Sequence, residues 1–198
     1  MTLADIPQVV QIDRRSFRSA WSEKTYAYEI RESPYTFMVV IEERWPIPPA
    51  RGWRRLWQFL TQVVPTTTEN RILGYGGLWC IQGEAHISTI ASHPDYRRRG
   101  YGEILLASMI QKSLFLEANQ VVLEVRVSNV NAQRLYQKWG FVTAGIKEHY
   151  YHDDGEDAYD MRLPLDDSVR LTFPAQYSAL IAQSGLDDEY TAFARTRG

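Results

Sequence analysis

Residues 90–116, "IASHPDYRRRGYGEILLASMIQKSLFL", decide the fold. A β-branched run ends at Ser92, and "HPDY" breaks it. After Gly100 the apolar residues Ile104, Leu105, Met109 and Leu116 line a broad helical face. "RRRGYG", residues 97–102, therefore lies at a strand–helix junction. The first amides of a helix lack intrahelical partners, and the helix dipole there favours anions. Gly100 and Gly102 would let a phosphate approach the backbone closely. Taken alone, the stretch is an even choice between a glycine turn with solvated arginines and a phosphate site. The dinucleotide spacing G-x-G-x-x-G is not met, and no G-K-[ST] follows. The phosphate-loop spacing R/Q-x-x-G-x-G/A is met by Arg97, Gly100 and Gly102.

Upstream, "ADIPQVVQIDRRSF" spaces Ile6, Val9, Val10 and Phe17 as a helix with Asp5 as its cap. "WSEKTYAYEI" predicts a second helix capped by Ser22. "PYTFMVVIEE" is a strand, and "RILGYGGLWCIQG" and "AHISTIASHP" are two more around a turn at Gln82-Gly83. Downstream, "QVVLEVRV" is a strand and "NVNAQRLYQKWG" a helix closed by Gly140. "FVTAGIKEHYY" and "DAYDMRLPL" form a last hairpin around "HDDG". Residues 45–68 are a Pro/Trp/Arg-rich insertion, and 166–198 a polar tail with a short helix near "PAQYSALIAQ". The mixed order predicts an α/β (α+β) sheet with helices on both faces.

The 198 residues favour one domain, and 44% hydrophobic content supplies a core. A net charge of −2 disfavours a bulk nucleic-acid binder, so no direct nucleic-acid binding is expected. One cysteine, Cys80, builds neither a disulfide framework nor a cysteine metal site within the chain. The N-terminus has no basic start followed by an apolar core, and no apolar run reaches the ~20 residues of a membrane span. A cytoplasmic location is the expectation.

Together, "IASHPDYRRRGYGEILL", "LEVRVSNVNAQRLYQKWGF" and "HYY…EDAYDMRL" resemble the GNAT acetyltransferases. The likeness is strongest to the bacterial ribosomal-protein-alanine N-acetyltransferases, and "WSEKTY" also fits that group. It covers roughly residues 1–43 and 71–165, which makes 1–165 one domain carrying the insertion and 166–198 a C-terminal extension. The resemblance implies a mixed central sheet whose parallel strands splay apart at an acetyl-coenzyme A site. It implies that the backbone of Ile90, Ala91 and Ser92 pairs with the pantetheine arm. The pyrophosphate amides would be those of Arg98, Arg99, Gly100, Tyr101, Gly102 and Glu103, with Arg97 opening the motif. Asn129 would add a side-chain amide. Unpaired strand amides in the splay could polarise the thioester carbonyl.

By the same resemblance, Glu124 is the general base and Tyr136 the proton donor to the leaving thiolate. Read from the residues alone, Glu124 is a charged residue on a strand face beside Arg126, and Tyr136 a half-buried helix aromatic. An α-amine of pKa ~7.8 leaves about a tenth neutral at pH 7, against about 0.04% of a lysine at ~10.4. That favours an N-terminal acceptor, such as the N-terminal alanine of a ribosomal protein. A small-molecule amine or a lysine acceptor is the alternative, as is a non-catalytic acyl-coenzyme A-binding module.

"KEHYYHDDGEDAYD" sets Glu148, Asp153, Asp154, Glu156, Asp157 and Asp160 against one lysine, which would attract a basic peptide. Tyr150 and Tyr151 match a tyrosine pair that flanks the substrate backbone in related enzymes; strict alternation lets only one face the groove. His86, His93, His149 and His152 lack metal-ligand spacing, so no metal is expected, and strand, turn or surface roles are assigned to them. In the insertion, Trp53, Leu56, Trp57, Leu60 and Val64 keep helical spacing beside Arg51, Arg54 and Arg55. Residues 51–64 could pack on their own domain, contact a membrane or partner, or cover the substrate.

Overall fold

The computed structural model describes residues 1–47 and 67–191. The helical reading of residues 51–64 falls outside them. A six-stranded mixed sheet runs in the order β1-β2-β3-β4-β6-β5. Its strands are β1 Thr36–Ile47, β2 Thr67–Ile81, β3 Glu84–Ser92, β4 Gln120–Arg126, β5 Val142–Tyr151 and β6 Glu156–Pro164. The helices are α1 Ile6–Ser16, α2 Glu23–Arg31, α3 Tyr101–Phe115, α4 Val130–Lys138 and α5 Asp167–Ser184. β1 extends to Ile47 and β2 starts at Thr67, paired to each other, so both ends of the 45–68 insertion continue the sheet.

Alternation along β1 sends Val39 and Ile41 to one face and Met38 and Val40 to the other. On the first face α3 supplies Leu105, Leu106, Met109 and Ile110, all buried, and α4 adds Tyr136. On the second, Ile6, Val9, Val10 and Ile12 of α1 and Tyr26 of α2 meet Ile72 and Tyr75. Gly76 permits the close seat of α3, because a Cβ there would stand 2.9 Å from the Met109 side chain. Gln82 and Gly83 both take positive φ, as the tight β2–β3 hairpin requires.

Two local readings are corrected. Asp5 precedes α1, but its carboxylate accepts from the Thr2 amide behind it and does not cap α1. The tail helix is 18 residues long; a proline reads as a helix start, yet α5 begins at Asp167 and runs through Pro174. Its cap is Asp166, whose side chain accepts from the Val169 amide at 2.9 Å. Phe173 and Tyr177 then bury against the α3 side of the core.

The feature that positions the site is the β3–β4 junction. These parallel strands pair only at Glu84, Ala85 and His86, opposite Gln120, Val121 and Val122. Beyond that rung they part. β3 keeps its pairing with β2, with Ser88 as an extra, bulged residue between Ile87 and Thr89.

Candidate active site

Helix α3 opens one side of the splay. Arg98 and Gly100 take φ of 61° and 85°, and this double left-handed turn swings the chain from Tyr96 into the helix. Gly100 is the N-cap, and the Glu103 amide already donates to its carbonyl at 3.0 Å. The amides of Arg99, Gly100, Tyr101 and Gly102 make no backbone bond among the described residues. A Cβ on Gly102 would meet only Ser92 Oγ at 3.4 Å and Leu135 at 3.8 Å, so the protein itself leaves room over this turn. Unpaired amides, a helix dipole and an open approach together suit a pyrophosphate.

The three arginines differ in their contacts. Arg97 donates to Ser16 Oγ, and Arg99 lies 5.1 Å over the Tyr96 ring. The Glu103 side chain accepts from Lys138 and from Trp139 Nε1, tying α3 to α4. Asn129 caps α4 through Oδ1, which leaves its NH2 as a donor at the same end of the splay. Ile90, Ala91 and Ser92 pair with β2 on one edge, while their other edge faces the gap.

Glu124 stands two residues past the last rung. Its Oε2 lies 2.7 Å from His86 Nε2, and its Oε1 accepts from Lys147 Nζ at 2.5 Å. Burial raises its pKa, but hydrogen bonds from His86 and Lys147 outweigh that and hold it at about 2. Tyr150 also faces this carboxylate; burial first, then Glu124, pushes its phenol up to about 12. Tyr136 is buried beside Phe141, and its hydroxyl has no hydrogen-bond partner among the described residues. Burial raises its pKa well above the ordinary tyrosine value.

The alternation argument for Tyr150 and Tyr151 fails. His149 adopts φ 51°, β5 loses register between Lys147 and Tyr151, and the two rings meet edge to face at 5.2 Å. Tyr150 lies near Lys147, while Tyr151 stacks under Arg126 at 3.9 Å. The acidic hairpin is also less available than its composition suggests. Arg126 binds Asp153, Asp154 and Glu156, Arg18 binds Asp154, and Arg162 binds Asp160.

Three residues went unread in the sequence. His86 takes the strand role assigned to it, on β3, but its contact with Glu124 was not foreseen. Trp79 packs on His86 at 5.6 Å and stacks with Trp21 at 6.3 Å. The loop bearing Trp21 is anchored because its amide donates to buried Asp13, which also accepts from Tyr75. Spacing could not reveal this, since Trp21, Trp79 and Glu124 lie on separate elements. Among the described residues no three His, Cys, Asp or Glu side chains are grouped to hold a metal. A groove of about 840 Å³ lies away from the splay, along β1 and the residues after α5, and shares none of these side chains.

Residues 6–141 match the model of the acetyltransferase (GNAT) family. A Bacillus subtilis protein provisionally named as a [ribosomal protein bS18]-alanine N-acetyltransferase is 34% identical over 84% of this chain and 94% of its own. The Escherichia coli K12 [ribosomal protein bS18]-alanine N-acetyltransferase is 29% identical over 81% of this chain and 92% of its own. The crystal structure of the Escherichia coli ribosomal-protein-S18-alanine N-acetyltransferase superposes with a TM-score of 0.61 at 28% identity, over 84% and 91% of the two chains.

Proposed function

The chain belongs to the GNAT acetyltransferase family, and from that premise we propose that it acetylates the N-terminal alanine of a ribosomal protein. It is an acetyl-coenzyme A-dependent acetyltransferase; the acceptor is what the proposal adds. The observation that carries it is the seat at Glu124. There an ammonium, that of Lys147, lies on a carboxylate held ionised, with the Tyr150 ring 5.5 Å away. An acceptor's α-ammonium brings the same charge and donors. Trp21 stacks on Trp79, which packs on His86, and Tyr150 faces Glu124; these rings would flank an incoming peptide end.

Acetyl-coenzyme A supplies the activated acyl group as a thioester. The amides of Arg99–Gly102 and the Asn129 NH2 would hold its phosphates and arm, and the unpaired edge of Ile90–Ser92 would take its backbone-like amides. Strand amides at the Ser88 bulge would face the carbonyl oxygen. Tyr136, kept neutral by burial, would donate a hydrogen bond to the departing sulfur. A thiol of pKa ~8.5 leaves readily enough for that help to suffice. Glu124, so acidic, is a strong anchor for an ammonium and a weak proton acceptor.

The test offers the protein acetyl-coenzyme A with free-N-terminus peptides, among them the first residues of ribosomal protein bS18, lysine peptides and polyamines. Mass spectrometry should place the acetyl group on the α-nitrogen of alanine-first peptides. Transfer confined to lysine side chains or polyamines sinks the proposal.

A further inference from the structure

We propose that Asp13 is a positioning residue for the reaction, holding Trp21 at the acceptor approach in fixed register with the open edge of β3. This rests on the acetyltransferase reading above and adds to it a residue buried behind the site. Asp13 lies on α1 and is 2% exposed. Its Oδ2 accepts from the Trp21 amide at 2.6 Å, and its Oδ1 accepts from the Tyr75 hydroxyl.

The Tyr75 oxygen fixes how this carboxylate is turned. A phenol hydroxyl has one proton to donate and two lone pairs to accept with. The Tyr26 hydroxyl donates to it at 3.2 Å, and Thr89 Oγ1 does so by a longer contact at 3.5 Å. Both lone pairs are then taken, and the one proton goes to Asp13 Oδ1. Oδ2 is left for the Trp21 amide. Helices α1 and α2 and strands β2 and β3 are thereby joined at one carboxylate. Thr89 directly follows the bulged Ser88, in the stretch of β3 that has parted from β4. The network thus ties the loop after α1 to the strand edge that the cofactor would line.

The loop has little else to hold it. Residues 17–22 carry neither helix nor strand. No amide of Arg18–Trp21 bonds to a backbone carbonyl among the described residues. The Trp21 amide on Asp13 is therefore what sets the height of the Trp21 ring over Trp79, and Trp79 packs on His86. Without that anchor the ring is free to leave the approach, and the acceptor loses a contact made alike in the ground and transition states. Such a loss appears in KM and not in kcat.

The experiment is steady-state kinetics of the full chain with acetyl-coenzyme A and an alanine-first peptide. Asp13→Ala should raise KM for the peptide about tenfold, with kcat and KM for acetyl-coenzyme A near wild type. Asp13→Asn, whose Oδ1 can still accept from the Trp21 amide, should restore the peptide KM. Tyr75→Phe strips the same carboxylate of its other donor and leaves the Trp21 amide in place. Its Tm should fall while its peptide KM stays near wild type. A merely structural role would lower Tm and the active fraction, which reduces apparent kcat and leaves KM alone. A folded Asp13→Ala with the wild-type peptide KM overturns the proposal. A Tyr75→Phe variant whose peptide KM rises as much as that of Asp13→Ala overturns it too. If Asp13→Ala does not fold, Trp21→Ala decides: its peptide KM must rise by a similar factor, and an unchanged value overturns the proposal. A wild type that does not acetylate this peptide refutes the underlying reading, a different failure.

Discussion

The parallel ladder between β3 and β4 ends at His86 opposite Val122, and the parting of the two strands beyond that rung places every group of the candidate site. Val122 points to the same face as Glu124, so His86 reaches one step forward to meet the carboxylate. Had the strands stayed paired, a ladder would occupy the gap, and no amide of Ile87–Ser92 would be open on that edge.

Glu124 gives a pH signature. Its folded pKa, about 2, lies below the ordinary 4.5. Its contribution to stability is therefore present above pH 4.5 and lost as pH falls toward 2. The stability gap between wild type and Glu124→Gln should be constant above about pH 5 and close in acid, as urea unfolding across pH would show. Activity in the variant should fall by roughly 10²-fold or more, while the Tm rise produced by coenzyme A persists.

The two loop glycines should separate folding from binding. Gly100 needs its φ of 85°, so Gly100→Ala should destabilise the fold by about 1–2 kcal/mol. Gly102→Ala meets only ordinary contacts and gains helix propensity, so its Tm should hold or rise. The motif itself admits Ala here, so KM for acetyl-coenzyme A should stay near wild type in Gly102→Ala. Gly102→Val, whose branched side chain would crowd the amides that a phosphate approaches, should raise it about tenfold, a loss of ~1.4 kcal/mol, in steady-state kinetics.

Asp13 predicts the opposite pH slope. Burial raises its pKa, against hydrogen bonds from Tyr75, Trp21 and Tyr26 that lower it. With the folded value raised, the protonated form is favoured, and stability is lost as pH rises through the raised folded pKa. Asn at this position keeps an acceptor for the Trp21 amide without the charge. The Tm of wild type relative to Asp13→Asn should fall as pH climbs from 3.8 through the carboxylate range, by scanning calorimetry.

Helix α5 should be required for stability. Phe173 is 3% exposed and packs at a tilt against Trp139, with ring centroids 5.3 Å apart. Phe173→Ala should cost ~3–5 kcal/mol, visible as a lowered urea midpoint with unchanged KM for acetyl-coenzyme A.

Much of this architecture was legible locally. The Ser22 cap, the Gln82-Gly83 turn, the Gly140 helix stop and the Gly100 turn into α3 each depend on a few adjacent residues, and each lies where its chemistry demands. Besides the Asp5 cap, two readings failed where a local cue pointed the wrong way. Pro174 reads as a helix start, although the helix it lies in is sustained by Phe173 and Tyr177 packing on the core. Tyr150 and Tyr151 obey alternation in the sequence, but His149 breaks the strand between Lys147 and the pair.

The sequence by itself determined the order of elements, the family likeness and the strand–turn–helix junction at residues 92–101, because hydrophobic period, caps and turn residues act over a few neighbours. Only the tertiary structure decided how charge is arranged in the site. It set His86 and Lys147 on Glu124 and cancelled much of the hairpin's acidity with Arg126 and Arg18. The reason is physical: a Coulomb or hydrogen-bond partner matters at about 3 Å. Which residues come that close across β3, β4 and β5 depends on where the strands pair and where they part.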